Sequence, residues 1–173
     1  MNTPDADTRR ISRRLGLLAT LAFLALGWVS FDGALERRED PNRNLVVAPG
    51  ASELVLQRNR AGHYLLPGEI NGHPVRLLLD TGATQVSVPA RLAAELGLQA
   101  GAPASVRTAN GAVTVRQTRI PRLAFGPFEF RDVAGHLNPG MQGDEVLLGM
   151  SALRHLEFTQ RGDTLTLRAP GSG

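Results

Sequence analysis

The sequence predicts an all-β domain with one or two short helices, preceded by one N-terminal transmembrane helix. Three observations predict it. Short runs rich in Val, Leu, Ile and Thr recur through residues 51–168, punctuated by Gly, Pro, Asn and Asp. Two Asn-Gly dipeptides, Asn71-Gly72 and Asn110-Gly111, sit between such runs. Asn-Gly is the strongest two-residue hairpin signal, because both turn positions take positive φ. Residues 15–31, LGLLATLAFLALGWVSF, carry no charge at all.

The apolar run sets the organisation of the N-terminal part. As a helix it spans roughly 25 Å, a short but workable membrane crossing. Trp28 and Phe31 stand at its far end, where aromatic rings favour the interface. Residues 1–14 hold four arginines against Asp5 and Asp7, so the positive-inside bias predicts a cytoplasmic N-terminus and an exported remainder. A cleaved signal peptide needs a small-x-small site after the run. Val29-Ser30-Phe31-Asp32-Gly33-Ala34 fits that poorly, so a retained anchor is expected. Residues 32–50 mix both charge signs and contain Pro41, which reads as solvated linker.

The globular part is expected over residues 51–168, with 169–173 as a tail. Leu54–Leu56 is a short strand. His63–Ile70 and His73–Leu79 form a hairpin about Asn71-Gly72. Val86–Val88 is a strand, and Pro89 then opens a helix through Leu96 that stops at Gly97. Ser105–Ala109 and Ala112–Thr118 flank Asn110-Gly111. Leu123–Phe125 and Phe128–Val133 bracket Gly126-Pro127, within a Gly- and Pro-rich stretch from Gly126 to Gly143 that reads as a surface excursion. Val146–Leu148 has the character of a strand buried on both faces. Ser151 is placed to cap a short helix through His155. Leu156–Thr159 and Thr164–Arg168 close a last hairpin about Gly162-Asp163, which accounts for the Arg161-Gly162-Asp163 tripeptide as a turn. Strands this short and numerous imply a compact barrel or sandwich.

Composition excludes several chemistries. With no cysteine there are no disulfides, thiolate nucleophiles or Cys-based metal sites. His63, His73, His136 and His155 are scattered without metal-ligand spacing, so no metal is expected, and they read as surface or partly buried polar residues. No basic stripe interleaved with aromatics runs through the globular part, so nucleic acid is not an expected partner.

One segment carries chemistry. Val75-Arg76-Leu77-Leu78-Leu79 runs straight into Asp80-Thr81-Gly82-Ala83. A carboxylate at the end of an apolar strand is costly unless hydrogen-bonded or paired. Glycine at position 82 brings its backbone N–H close to that carboxylate, and Thr81 offers a hydroxyl to a partner. A plain Asp-Thr-Gly turn is the bland alternative. About 66 residues downstream lies Val146-Leu147-Leu148-Gly149-Met150.

These paired motifs resemble the retropepsin-like aspartic proteases, and more narrowly their bacterial, membrane-anchored, single-lobe branch. Asp80-Thr81-Gly82-Ala83 resembles the family's catalytic loop, Thr108-Ala109-Asn110-Gly111 its flap hairpin, and Leu147-Leu148-Gly149 its later apolar-apolar-Gly strand. The resemblance covers roughly residues 52–168. It implies a closed barrel of acid-protease type and an aspartic endopeptidase that needs no cofactor. Asp80, Thr81 and Gly82 would be the catalytic residues, and Ala83, Ala109, Asn110 and Gly111 would contact a polypeptide substrate. Since the chain has one Asp-Thr-Gly and the chemistry needs two carboxylates, a homodimer is implied, each subunit giving one Asp80. The location implied is the bacterial inner membrane, single-pass, with the protease domain on the periplasmic side. The alternative from another class is a catalytically inactive peptide-binding module on the same fold.

Overall fold

A computed structural model of the chain describes residues 39–108 and 111–171. The expected membrane helix over 15–31 lies outside the described residues. Among the described residues no helix is long and apolar enough to cross a membrane. The compact unit that carries the fold begins at Asp40.

Among the described residues the strands are β1 (Glu53–Gln57), β2 (Leu65–Ile70), β3 (His73–Leu79), β4 (Val86–Pro89), β5 (Pro103–Thr108), β6 (Gly111–Phe125), β7 (Phe128–Asn138), β8 (Glu145–Leu148), β9 (Glu157–Arg161) and β10 (Thr164–Arg168), and a short helix, α1, spans Met150–Leu153. Seven strands form one sheet in the order β2-β3-β8-β4-β7-β6-β5, and a further pairing of β2 with β6 closes six of them into a barrel. Strand β5 hangs outside the closure on the first half of β6. A second sheet, β1-β10-β9, covers one side.

Alternation of side chains explains the closure. Ile70, Leu77, Val86, Val88, Ile120, Leu123, Val146 and Leu148 are fully buried and face inward. Each contributes about 1.5–3 kcal/mol by leaving water. Leu54, Leu56, Leu165 and Leu167 of the second sheet add to the same core. At the β2–β3 turn Asn71 and Gly72 both have positive φ, 52° and 85°, the geometry the Asn-Gly pair selects. Asn71 also extends the barrel seam: its N–H donates to the Arg122 carbonyl at 2.9 Å, and its Oδ1 accepts from the Arg122 N–H at 3.1 Å.

Several expectations are corrected. The separate strands 112–118 and 123–125 are one strand, β6, which runs through Pro121. Proline lacks an N–H, and the ladder skips it: Ile120 pairs with Val133 and Arg122 with Arg131. Opposite Pro121, Asp132 takes a φ of 53°. The reading of Gly126 to Gly143 as a surface excursion fails for its first half, because β7 continues to Asn138 in parallel register with β4. The helix expected over Pro89–Leu96 reduces to a 3₁₀ turn at Ala90–Leu92 and a series of turns, because Pro89 is still paired in β4. Gly97 does end it, with φ 63°.

Ser151 does not cap α1, whose N-cap is Gly149. Its hydroxyl instead donates to the Ala134 carbonyl at 2.7 Å and accepts from the Val86 N–H at 3.0 Å, tying α1 to β7 and β4. The solvated-linker reading does not hold for residues 40–47. Asn42 is 2% exposed. Its Nδ2 donates to the carbonyls of Gln57 and Leu65 at 2.9 and 2.7 Å, and its Oδ1 accepts from the Gln57 N–H at 2.8 Å. Asp40 is buried beside Arg76, with Oδ2 and Nη1 3.0 Å apart, close enough for charge attraction but not aligned as a hydrogen bond. Leu45 and Val47 pack against the core.

Candidate active site

Strands β3 and β8 run parallel, with Leu79 beside Leu148. Parallel pairing delivers both strand ends to the same edge of the sheet, so Asp80 and Gly149 emerge side by side. The Asp80 N–H donates to the Leu148 carbonyl at 3.1 Å, extending the ladder by one residue. The chain then turns: the Ala83 N–H donates to the Asp80 carbonyl at 3.2 Å, and the Gly82 N–H donates to Asp80 Oδ1 at 2.9 Å. A backbone donor therefore fixes the carboxylate's orientation.

Gly149 lets the two motifs meet. A Cβ there would lie 2.7 Å from the Ala83 carbonyl oxygen and closer still to that of Gln85. No side chain fits, and the Met150 N–H donates to the Ala83 carbonyl at 2.8 Å across the gap.

Asp80 is half-buried at a cleft of about 830 Å³. Gly82, Ala83, Thr84, Ser87, His136, Asn138 and Leu147 line it from the barrel side, and residues 104–108 of β5 from the other. Asp80 is its only carboxylate among the described residues. Thr81 and Gly82 are exposed, and the Thr81 hydroxyl has no hydrogen bond among the described residues. A second hollow of about 640 Å³ has Arg119 as its only ionisable lining group among the described residues, so it offers no carboxylate.

Of the residues singled out from the sequence, Asp80, Gly82 and Ala83 share this cleft, and Thr81 is exposed and does not line it. Ala109 and Asn110 lie outside the described residues. Gly111 opens β6 with a φ of 111° and does not line the cleft. Leu147, expected to be buried on both faces, is half-buried and faces the cleft.

The family model described as "gag-polyprotein putative aspartyl protease" matches residues 66–155, just over half of the 173-residue chain. The chain belongs to the retropepsin-like aspartic protease family. The match starts in β2 and ends just past α1, so it contains both strand ends that build the loop. A retropepsin-like aspartic protease from Rickettsia conorii, solved by crystallography, superposes with a TM-score of 0.58 at 29% identity, over 68% of this chain and 90% of that one. Two uncharacterised relatives are 31% identical over 74% of this chain, from Sinorhizobium (cobV 5′ region), and 28% identical over 61%, from Rickettsia prowazekii. The chain spans about half the length of these curated relatives, 58% and 46%.

Sequence reasoning missed part of this retropepsin-like cleft. Ser87, Gln117, His136 and Asn138 were not singled out as site residues, and His136 was set aside as a scattered surface or partly buried histidine. Their signal was alternation: Val133, Gly135 and Leu137 face the core, so His136 and Asn138 between and after them face the other way. The surface-excursion reading hid it. His136 is 9% exposed, and burial lowers its pKa from the ordinary 6.5.

Proposed function

We propose that two copies of this chain form an aspartic endopeptidase whose catalytic dyad is Asp80 from each subunit. The observation that carries this is a hydrogen-bonded carboxylate at the mouth of a cleft with no second acid beside it among the described residues, on a loop whose Thr81 and Gly82 are exposed. A two-fold axis beside these residues would set the two Asp80 side chains face to face and give each Thr81 hydroxyl a partner.

Two carboxylates a few ångströms apart share one proton. The unprotonated Asp80 accepts a proton from a water held between them. The oxygen of that water attacks the scissile carbonyl carbon, and the protonated Asp80 gives its proton to the carbonyl oxygen, so that a tetrahedral diol forms. The diol then collapses, the C–N bond breaks, and a dyad proton passes to the leaving amine. The substrate binds extended, against the cleft and the β5–β6 hairpin, by strand-like hydrogen bonds. The uncharged run over residues 15–31 supports a single-pass anchor in a bacterial inner membrane, with the domain on the periplasmic side.

A peptide-library digest with the wild-type chain and Asp80→Asn tests the reading. Cleavage by the wild type alone is expected. Equal cleavage by both overturns it.

A further inference from the structure

The floor of the cleft is polar. Four strands contribute one cross-strand row: Leu147 on β8 is the register partner of Ser87 on β4, Ser87 of His136 on β7, and His136 of Gln117 on β6. Register partners point to the same face, and all four line the cleft that holds Asp80. Asn138, two residues beyond His136, lines it too.

Burying polar groups is costly unless they are hydrogen-bonded, and this floor is satisfied only in part. Ser87, His136 and Asn138 are 3%, 9% and 7% exposed. The Ser87 hydroxyl donates to Met141 Sδ at 3.2 Å, a weak acceptor. Asn138 Oδ1 accepts from the Gly140 N–H at 2.8 Å. Its Nδ2 and both ring nitrogens of His136 have no hydrogen bond among the described residues. Burial disfavours the charged ring and lowers its pKa from the ordinary 6.5; the neutral imidazole offers one donor and one acceptor. The floor thus presents donors at Asn138, His136 and Gln117, with acceptors at His136, Ser87 and Gln117.

We propose that Ser87, Gln117, His136 and Asn138 form a subsite that selects a substrate residue with a primary-amide side chain, Asn or Gln. An amide carries two donors and an acceptor and meets both sets at once. A carboxylate supplies acceptors only, and an aliphatic side chain leaves the buried groups unpaired, which is how polar sites reject apolar analogues. The proposal rests on the protease reading. Three strand spacings separate β3 from β7, about 14 Å, and an extended peptide advances about 3.3 Å per residue. The selected residue therefore lies within about four residues of the scissile bond.

The test is a peptide-library digest by the full chain, with cleavage sites read by mass spectrometry and Asp80→Asn as the blank. The expected result is about tenfold or greater enrichment of Asn and Gln over Leu and Val at one position near the cut. His136→Leu should bring that position close to parity and leave the other positions' profiles unchanged. Gln117→Leu, at an exposed site that folding tolerates, should shift the same position in the same direction. Cleavage that depends on Asp80 but shows a flat or aliphatic profile, or a profile unmoved by either variant, overturns the subsite and leaves the protease standing. Identical digests from wild type and Asp80→Asn overturn the protease reading, and the subsite with it.

Discussion

The Met150 N–H donates to the Ala83 carbonyl at 2.8 Å, and this bond joins the two motifs that lie farthest apart in the site's sequence. It forms because Gly149 has no Cβ to hold the backbones apart. The Asp80 loop is therefore held from inside by its neighbour Gly82 and from behind by β8.

Gly149→Ala should damage both stability and activity. Its methyl group would overlap two carbonyl oxygens that belong to backbone and cannot rotate away. A loss of about 3 kcal/mol or more is expected in denaturant unfolding. Any folded fraction should cleave more slowly, since the Asp80 loop must shift to make room.

Asp80→Asn should leave stability nearly untouched, because the asparagine Oδ1 can still accept from the Gly82 N–H. The midpoint of thermal unfolding should stay within about 3 °C of wild type. Peptide hydrolysis should fall by about 10³-fold or more. A large loss of stability in this variant would mean that the carboxylate's role is structural.

Asn42→Ala removes three buried hydrogen bonds and leaves two carbonyls and one N–H unpaired. The expected cost is about 2–4 kcal/mol. A chain starting at residue 51 should be destabilised at least as much relative to one starting at residue 39. Equal unfolding midpoints for the two truncations would contradict the docked role of residues 40–47.

Stability should fall as the solution is acidified below about pH 6.5, in part through His136. Its folded pKa lies below the ordinary 6.5 because burial disfavours the charged ring. Between the two values the unfolded chain binds the extra proton, so stability is complete above 6.5 and declines as pH drops toward the folded value. His136→Gln should flatten that decline in unfolding measured from pH 7.5 to 5, while carboxylate contributions at lower pH persist.

On the proposed reading, in which the dyad is shared between two subunits, specific activity should drop on dilution of a chain starting at residue 39. The proposed anchor would raise effective concentration at a membrane, so the full chain in vesicles should resist the loss. Strict proportionality between rate and enzyme concentration over several decades would argue for a self-sufficient subunit.

Local rules were enough for much of this protein. The Asn71-Gly72 turn, the apolar strand into Asp80 and the Gly162 hairpin all follow from φ preferences and alternation within a few residues of chain. The Asp-Thr-Gly-Ala loop and the Leu-Leu-Gly strand could be paired as motifs from sequence, and their family was legible in them. What sequence could not supply was anything set by partners distant along the chain. Pro121 sits inside a strand because its neighbours pair on both sides of it. Asn42 is structural because Gln57 and Leu65 leave backbone groups that only its amide reaches. Alternation turns His136 away from the core, but that this face is the cleft is decided by the parallel register with β4, which puts it beside Ser87. In each case the deciding energy is a hydrogen bond or register between strands far apart in sequence, and only the closed barrel determines which groups those are.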